Sequence, residues 1–285
     1  MKLHNQRRAP ASFAARRALA RPTSLEIQTD WLVPQWPAPQ NVRAVCSPRT
    51  GGLSLAPWDS LNLGTHVGDR AEHVARNRAQ LQSVMGARPV FMEQVHGVEV
   101  LPLHCGTEDG HAADGAFTRQ PGLACTVMVA DCLPVLFCDT AGHQVAAAHA
   151  GWRGLAGIGG KGILEETLAS FSALAPVEYA QPAIKIIAWL GPCIGPRAFE
   201  VGDDVRQAFL DSTAGASGCF APLGGGKWLG NLPGLARLRL QAAGIDAVYG
   251  NDGGMPWCTV SNPSRFFSHR RDRVSGRQAA CVWLE

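Results

Sequence analysis

Cys132 and His149 stand near the two ends of a largely apolar stretch, ADCLPVLFCDTAGHQVAAAHAGWRG, residues 130–154. A thiol and an imidazole brought together can share a metal ion, or act as nucleophile and base. The two residues are symmetric about position 140.5, within DTAGH. A hairpin centred there sets residues i and 281 − i opposite one another, so Cys132 faces His149 with Cβ atoms about 4.5–5.5 Å apart. A single bulge would send them to opposite faces, and Pro134 must take an edge or a non-bonding position. His96, in EQVHGV, is a candidate third ligand, because Gly97 lets the backbone approach a bound group. Pattern alone leaves His66, His104 and His111 open as alternatives.

Such a constellation needs elements to hold it. Residues 69–85 carry Val74, Leu81, Val84 and Met85 on one helical face, with Asp69 placed as cap. Two short strands are expected around Gln94 to Gly97. GLACTVMVADC and LPVLFCD read as strands buried on both faces, and HQVAAAHA as the strand that pairs back. A helix starts at Ile163 and stops at Pro176, and AIKIIAWLGP is a further buried strand. Helices follow near 203–210 and 231–243, the second stopped by Gly244. APLGGGKW reads as a mobile connection, and SRFFSHRRDRVSGRQAACVWL as a loop entering a last strand. Clustered strands with irregularly interspersed helices predict an α+β fold of mixed sheets, one domain over residues 30–285.

Charge is unevenly placed. Residues 1–25 hold six basic side chains (Lys2, Arg7, Arg8, Arg16, Arg17, Arg21) and no acidic one. Removing those six from the 26 basic residues leaves 20 against 23 acidic ones, a slightly acidic body unlike that of a nucleic-acid binder. The Arg-, Ala- and Ser-rich head, residues 1–29, is expected to be an unstructured extension, although transit peptides share its composition. No run of eighteen uncharged apolar residues predicts a membrane span. Nine cysteines without paired spacing fit reduced thiols in a cytoplasmic protein.

Taken in order, CSPRTGGLS, SLNLGTHVGD, EQVHG, ADCLPVLFCD, AAAHAGWRG, GPCIGPRAFEVG and FFSHRRD…GRQAACVWL resemble the YfiH/laccase-domain family from about Leu32 to Leu284. Its members are described as purine nucleoside phosphorylases with adenosine deaminase activity, formerly as polyphenol oxidases. The resemblance implies a YfiH-like fold and a metal site of His96, Cys132 and His149. The expected ion is zinc, with copper as the alternative because imidazole suits both. Three protein ligands leave one position for water or substrate, as a catalytic zinc requires.

The implied substrates are purine nucleosides and phosphate, with no nucleic-acid or membrane partner. Asp131 is the nearest carboxylate for acid/base work, provided the backbone bends there. Arg49, beside Gly51 and Gly52, and Arg153 are expected to bind the anion, and Asn62 to reach ribose or base. Phe266 and Phe267 could stack on a purine but suit a core better. The zinc-deaminase signature H-x-E with P-C-x-x-C is absent, so deamination would use a different zinc arrangement. Two other readings stay open: a Cys132/His149 hydrolase acting on a cell-wall nucleotide precursor, and a metal-binding protein without turnover. Polyphenol oxidation fits less well, since nine His cannot readily furnish a multicopper site.

Overall fold

The computed structural model describes residues 31–172 and 185–285. The basic head and the expected stop at Pro176 lie outside them. In chain order come β1 (Val42–Cys46), α1 (Ala71–Met85), β2 (Arg88–Phe91), β3 (Val100–Pro102), β4 (Gly115–Thr118), β5 (Leu123–Val129), β6 (Leu133–Asp139) and β7 (Val145–Ala150). Next are α2 (Trp152–Ala156), α3 (Ile163–Ser172), β8 (Ile186–Leu190), β9 (Glu200–Gly202), α4 (Asp203–Ser212), β10 (Phe220–Gly224) and β11 (Lys227–Gly230). The chain closes with α5 (Leu232–Ala242), β12 (Val248–Gly250), α6 (His269–Asp272) and β13 (Gln278–Leu284).

Two mixed sheets form the centre, as the clustered strands predict. One has the order β1-β13-β5-β2 and the other β12-β8-β6-β7-β4-β3; β10-β11-β9 make a small third sheet. Val127 of β5 and Val282 of β13 pack with Leu136 of β6, Ala147 of β7 and Trp189 of β8, so the large sheets share one apolar interior. On the outer side of the first sheet, Leu81 and Met85 of α1 pack on Ala124, Met128 and Cys281. On the far side of the second, Val135, Phe137 and Ala148 meet Leu164, Phe209 and Leu235 of α3, α4 and α5. Strands buried on both faces cannot alternate with polar residues, which explains the continuous apolar runs in β5, β6 and β7.

The hairpin forms with a shifted register. Leu133 pairs with Ala150 and Pro134 with His149, so the centre lies at 141.5 rather than 140.5. The buried Asp139 carboxylate sets this turn, accepting from the N–H groups of Ala141, His143 and Gln144 at 2.8, 3.0 and 2.6 Å, while Gly142 takes φ 74. A slide of two residues preserves the face, because side chains alternate with period two. Cys132 therefore stays on the His149 side although the two are not paired.

Two more expectations change. Asp69 is not the side-chain cap of α1; its carboxylate accepts from Arg70 N at 2.7 Å and Asn62 Nδ2 at 2.9 Å, and the helix begins at Ala71. APLGGGKW is no loose connection but the β10–β11 hairpin, whose Gly224, Gly225 and Gly226 all take positive φ.

Phe137 is fully buried in β6 with its ring 6.4 Å from that of Phe171. Phe137→Ala is expected to cost about 3–5 kcal/mol, read as a lower urea midpoint at unchanged slope. A loss below 1 kcal/mol would contradict its place in that core.

Candidate metal centre

The chain passes from one large sheet to the other between Val129 and Leu133, and Cys132 sits at that crossing. His149 is the penultimate residue of β7. His96 comes from the β2–β3 connection, which Gln94 fastens to β5 by bonding both backbone groups of Met128, at 2.7 and 2.8 Å. The ligand atoms of His96, Cys132 and His149 all lie within 4.8 Å of one another. Cys132 Sγ is 3.7 Å from His96 Nε2, and the two imidazole rings meet edge to face with centroids 4.8 Å apart. One thiolate and two imidazoles at this spacing fit a zinc ion and leave a fourth position to the cavity beside them.

Asp114, which sequence pattern did not single out, organises all of this. Its fully buried carboxylate sits 2.7 Å from His149 Nδ1. It also accepts the N–H groups of Val95, His96 and Gly97 at 3.1, 3.0 and 2.7 Å. Three successive N–H groups turned onto one anion make a nest, and His96 takes φ 61 within it. One carboxylate thus fixes the turn that carries His96 and aims the Nε2 of His149 at the site.

Gly151 is the second residue that pattern missed. A Cβ there would lie 2.7 Å from His96 Cδ2 and 3.2 Å from Cys132 Sγ. The close approach credited to Gly97 belongs instead to Gly151, since a Cβ on Gly97 would meet only ordinary contacts.

Electrostatics favour a charged pair in the metal-free protein. Burial pushes the Cys132 thiol up, but His149 and His96 outweigh it and draw the thiol down to about 6. Burial opposes charge on His149 as well, yet Cys132 and Asp114 push it up to about 9. Asp114 is held below the usual carboxylate range: burial raises it, and the His149, Gly97 and His96 bonds more than compensate. Between those limits the thiolate is ready for a cation.

A cavity of about 410 Å³ opens beside the three residues. Met128, Trp152, Ile194, Phe199 and Leu232 give it apolar surface; His66, His269, Arg270, Arg273 and Arg277 give it basic surface. Burial and the Arg277 guanidinium hold His66 below the ordinary imidazole range.

The expected substrate residues fall elsewhere. Arg49 bonds Asp59 at 3.2 Å and Asp272 at 3.4 Å and lies over the Phe267 ring, bracing the loop. Asn62 is fully buried in a turn with Gly64, and its Oδ1 accepts Arg277 N at 2.9 Å. Arg153 is exposed and lies over the Trp152 ring at 4.3 Å. None of these three lines the cavity. Phe266 and Phe267 are core residues.

Asp131 does border the cavity, and the backbone does bend there, at φ 96. Its oxygens accept Thr259 Oγ1 and Arg270 N, each at 2.6 Å. Asp131 thereby joins the crossing to the 269–277 segment while bordering the cavity beside Cys132.

Residues 43–285 match the family described as multi-copper polyphenol oxidoreductase laccase. The chain belongs to that laccase-like family. Its relatives include a protein named purine nucleoside phosphorylase YfiH from Escherichia coli (strain K12), 48% identical over 89% of this chain and 98% of the relative. A purine nucleoside phosphorylase of Pseudomonas aeruginosa is 47% identical over 90% and 98%. Among solved structures of the family, a Neisseria meningitidis protein superposes with TM-score 0.79 at 44% identity, covering 90% of this chain and all of that one. Bacillus licheniformis YfiH gives 0.76 at 30%, covering 86% and 93%. No helix among the described residues is long and apolar enough to cross a membrane.

Two outcomes test the site. Asp114→Asn is expected to weaken zinc binding about 10–100-fold, read by competition with a chromogenic chelator; unchanged affinity would contradict the orienting role. In the metal-free protein, alkylation of Cys132, followed by peptide mass spectrometry, should accelerate as pH rises through about 6. A midpoint near the free-thiol value of about 8.5 would show that the imidazoles do not stabilise the thiolate.

Proposed function

We propose that the chain is a zinc-dependent purine nucleoside phosphorylase that also deaminates adenosine. Its reactions would be phosphorolysis of adenosine, inosine and methylthioadenosine to free base and ribose 1-phosphate or the 5-methylthio form, and hydrolysis of adenosine to inosine and ammonia. The observation that carries this reading is three convergent ligands on the edge of a nucleoside-sized cavity with both apolar and basic lining. The names of the Escherichia coli and Pseudomonas aeruginosa relatives support it. Among the described residues this is the one cluster suited to a metal ion, which favours a single ion over a multicopper array. A cytoplasmic location accords with unpaired cysteines, all nine of which are free.

In phosphorolysis a phosphate oxygen bonds C1′ as the C1′–N9 bond breaks. The electron pair leaves on the purine, which takes up the proton carried by the phosphate. When bound, zinc would supply Lewis acidity and a lowered pKa for coordinated water. The protein's part is to fix geometry: Asp114 holds the His149 imidazole and the backbone turn that carries His96, Asp131 ties the ligand loop to the arginine segment, and the apolar lining excludes water from the base. His66, kept neutral, offers a hydrogen-bonding group in the cavity without adding charge.

One observation favours a second reading. Cys132, His149 and Asp114 form a nucleophile, base and orienting carboxylate in the metal-free protein. The two readings separate cleanly. Zinc-loaded protein is expected to release adenine from adenosine only with phosphate present, and Cys132→Ala to lower that rate at least about 100-fold. Activity that survives chelation but is lost on thiol alkylation would support the hydrolase instead.

A further inference from the structure

The cavity holds more positive charge than a metal site requires. Arg270, Arg273 and Arg277 line it from one short segment. Among the described residues, none of the three lies within ion-pair distance of a carboxylate. Their neighbour Arg271 is handled differently. It pairs with Asp272 at 2.7 Å and donates to the carbonyls of Thr259, Val260 and Phe266. The segment therefore sorts its arginines, neutralising one and presenting three to the cavity.

Backbone geometry enforces the sorting. At the end of α6, Arg273 takes φ 62 and ψ −59, a conformation that a long side chain adopts only when its surroundings impose it. Downstream, Asn62 holds Arg277 N, while Arg277 Nη1 donates to Ser275 O and Gly276 O at 2.9 and 3.0 Å. Upstream, Arg270 N is fixed by Asp131, and its Nη1 is engaged by Ala198 O and Glu200 O. Asp131 is the one carboxylate in the lining, and it already accepts from Thr259 and Arg270. Arg277 is half-buried and Arg273 exposed where they line the cavity, and a guanidinium without a carboxylate is stabilised by an anion that offers two oxygens.

We infer that Arg273 and Arg277 form the subsite for the orthophosphate co-substrate, with the apolar lining of the same cavity left to the purine. This rests on the phosphorolytic reading above, and it transfers to Arg273 and Arg277 the anion-binding role that sequence assigned to Arg49 and Arg153. Arg270 serves chiefly as the anchor of the segment.

The test uses the full-length, zinc-loaded chain with inorganic phosphate as probe. Calorimetry without nucleoside gives the phosphate Kd, and adenosine phosphorolysis gives both KM values. Arg273→Gln and Arg277→Gln are each expected to raise phosphate Kd and KM about tenfold or more, with adenosine KM and zinc content unchanged. Arg273 donates no side-chain hydrogen bond to the described residues, so its substitution should leave the fold intact. Arg43→Gln, which removes only a pair with Glu285, serves as control. Wild-type phosphate constants in both variants, or no phosphate binding by the wild type, would overturn the subsite. Phosphorolysis that is indifferent to both arginines would leave the phosphorylase reading standing without it. Arginine-dependent phosphate binding with no release of adenine would leave the subsite standing and remove the phosphorylase reading.

Discussion

The carboxylate of Asp114, buried and enclosed by N–H donors, is the constraint on which the site depends. Burial alone would neutralise such a group. Bonds from Val95, His96, Gly97 and His149 keep it charged, and each is also a structural instruction. The same anion that bends the β2–β3 connection around itself orients an imidazole of β7. A cluster able to hold a metal ion, drawn from three distant parts of the chain, is thereby reduced to one local arrangement, with Cys132 supplied by the crossing between the sheets.

That crossing links fold to chemistry. The strand before it lies in one sheet and the strand after it in the other, so the backbone must turn sharply, and it does so at Asp131. The carboxylate of Asp131 then reaches Thr259 and the backbone of Arg270, binding the turn to the basic segment near the C-terminus. The candidate ligands and the arginines consequently border one cavity although more than 100 residues of chain separate them. Gly151 completes the arrangement by leaving room for the His96 ring and the Cys132 sulfur.

How much of this was legible in the sequence follows from range. The buried strands, α1, α5 and the presence of a hairpin were readable because apolar runs and helical periods are local signals. The hairpin register missed by two because Asp139 caps the turn through three N–H groups, a preference that symmetry in the sequence does not express. His96, Cys132 and His149 gained their assignment from family resemblance, and the fold brings them together. Asp114 stayed invisible since its partners lie 18 residues before and 35 after it. Arg49 looked like an anion binder beside two glycines, but Asp59, ten residues on, and Asp272, 223 residues away, supply its counter-charge. Pattern identifies the residue types able to do the chemistry; long-range ion pairs decide which of them are free to do it.

X-ray absorption spectroscopy at the zinc edge of the purified protein tests the central claim most directly. The account predicts one sulfur at about 2.3 Å, two imidazole nitrogens at about 2.0–2.1 Å and one light exchangeable ligand. A shell without sulfur, or one closed by four protein ligands, would contradict it.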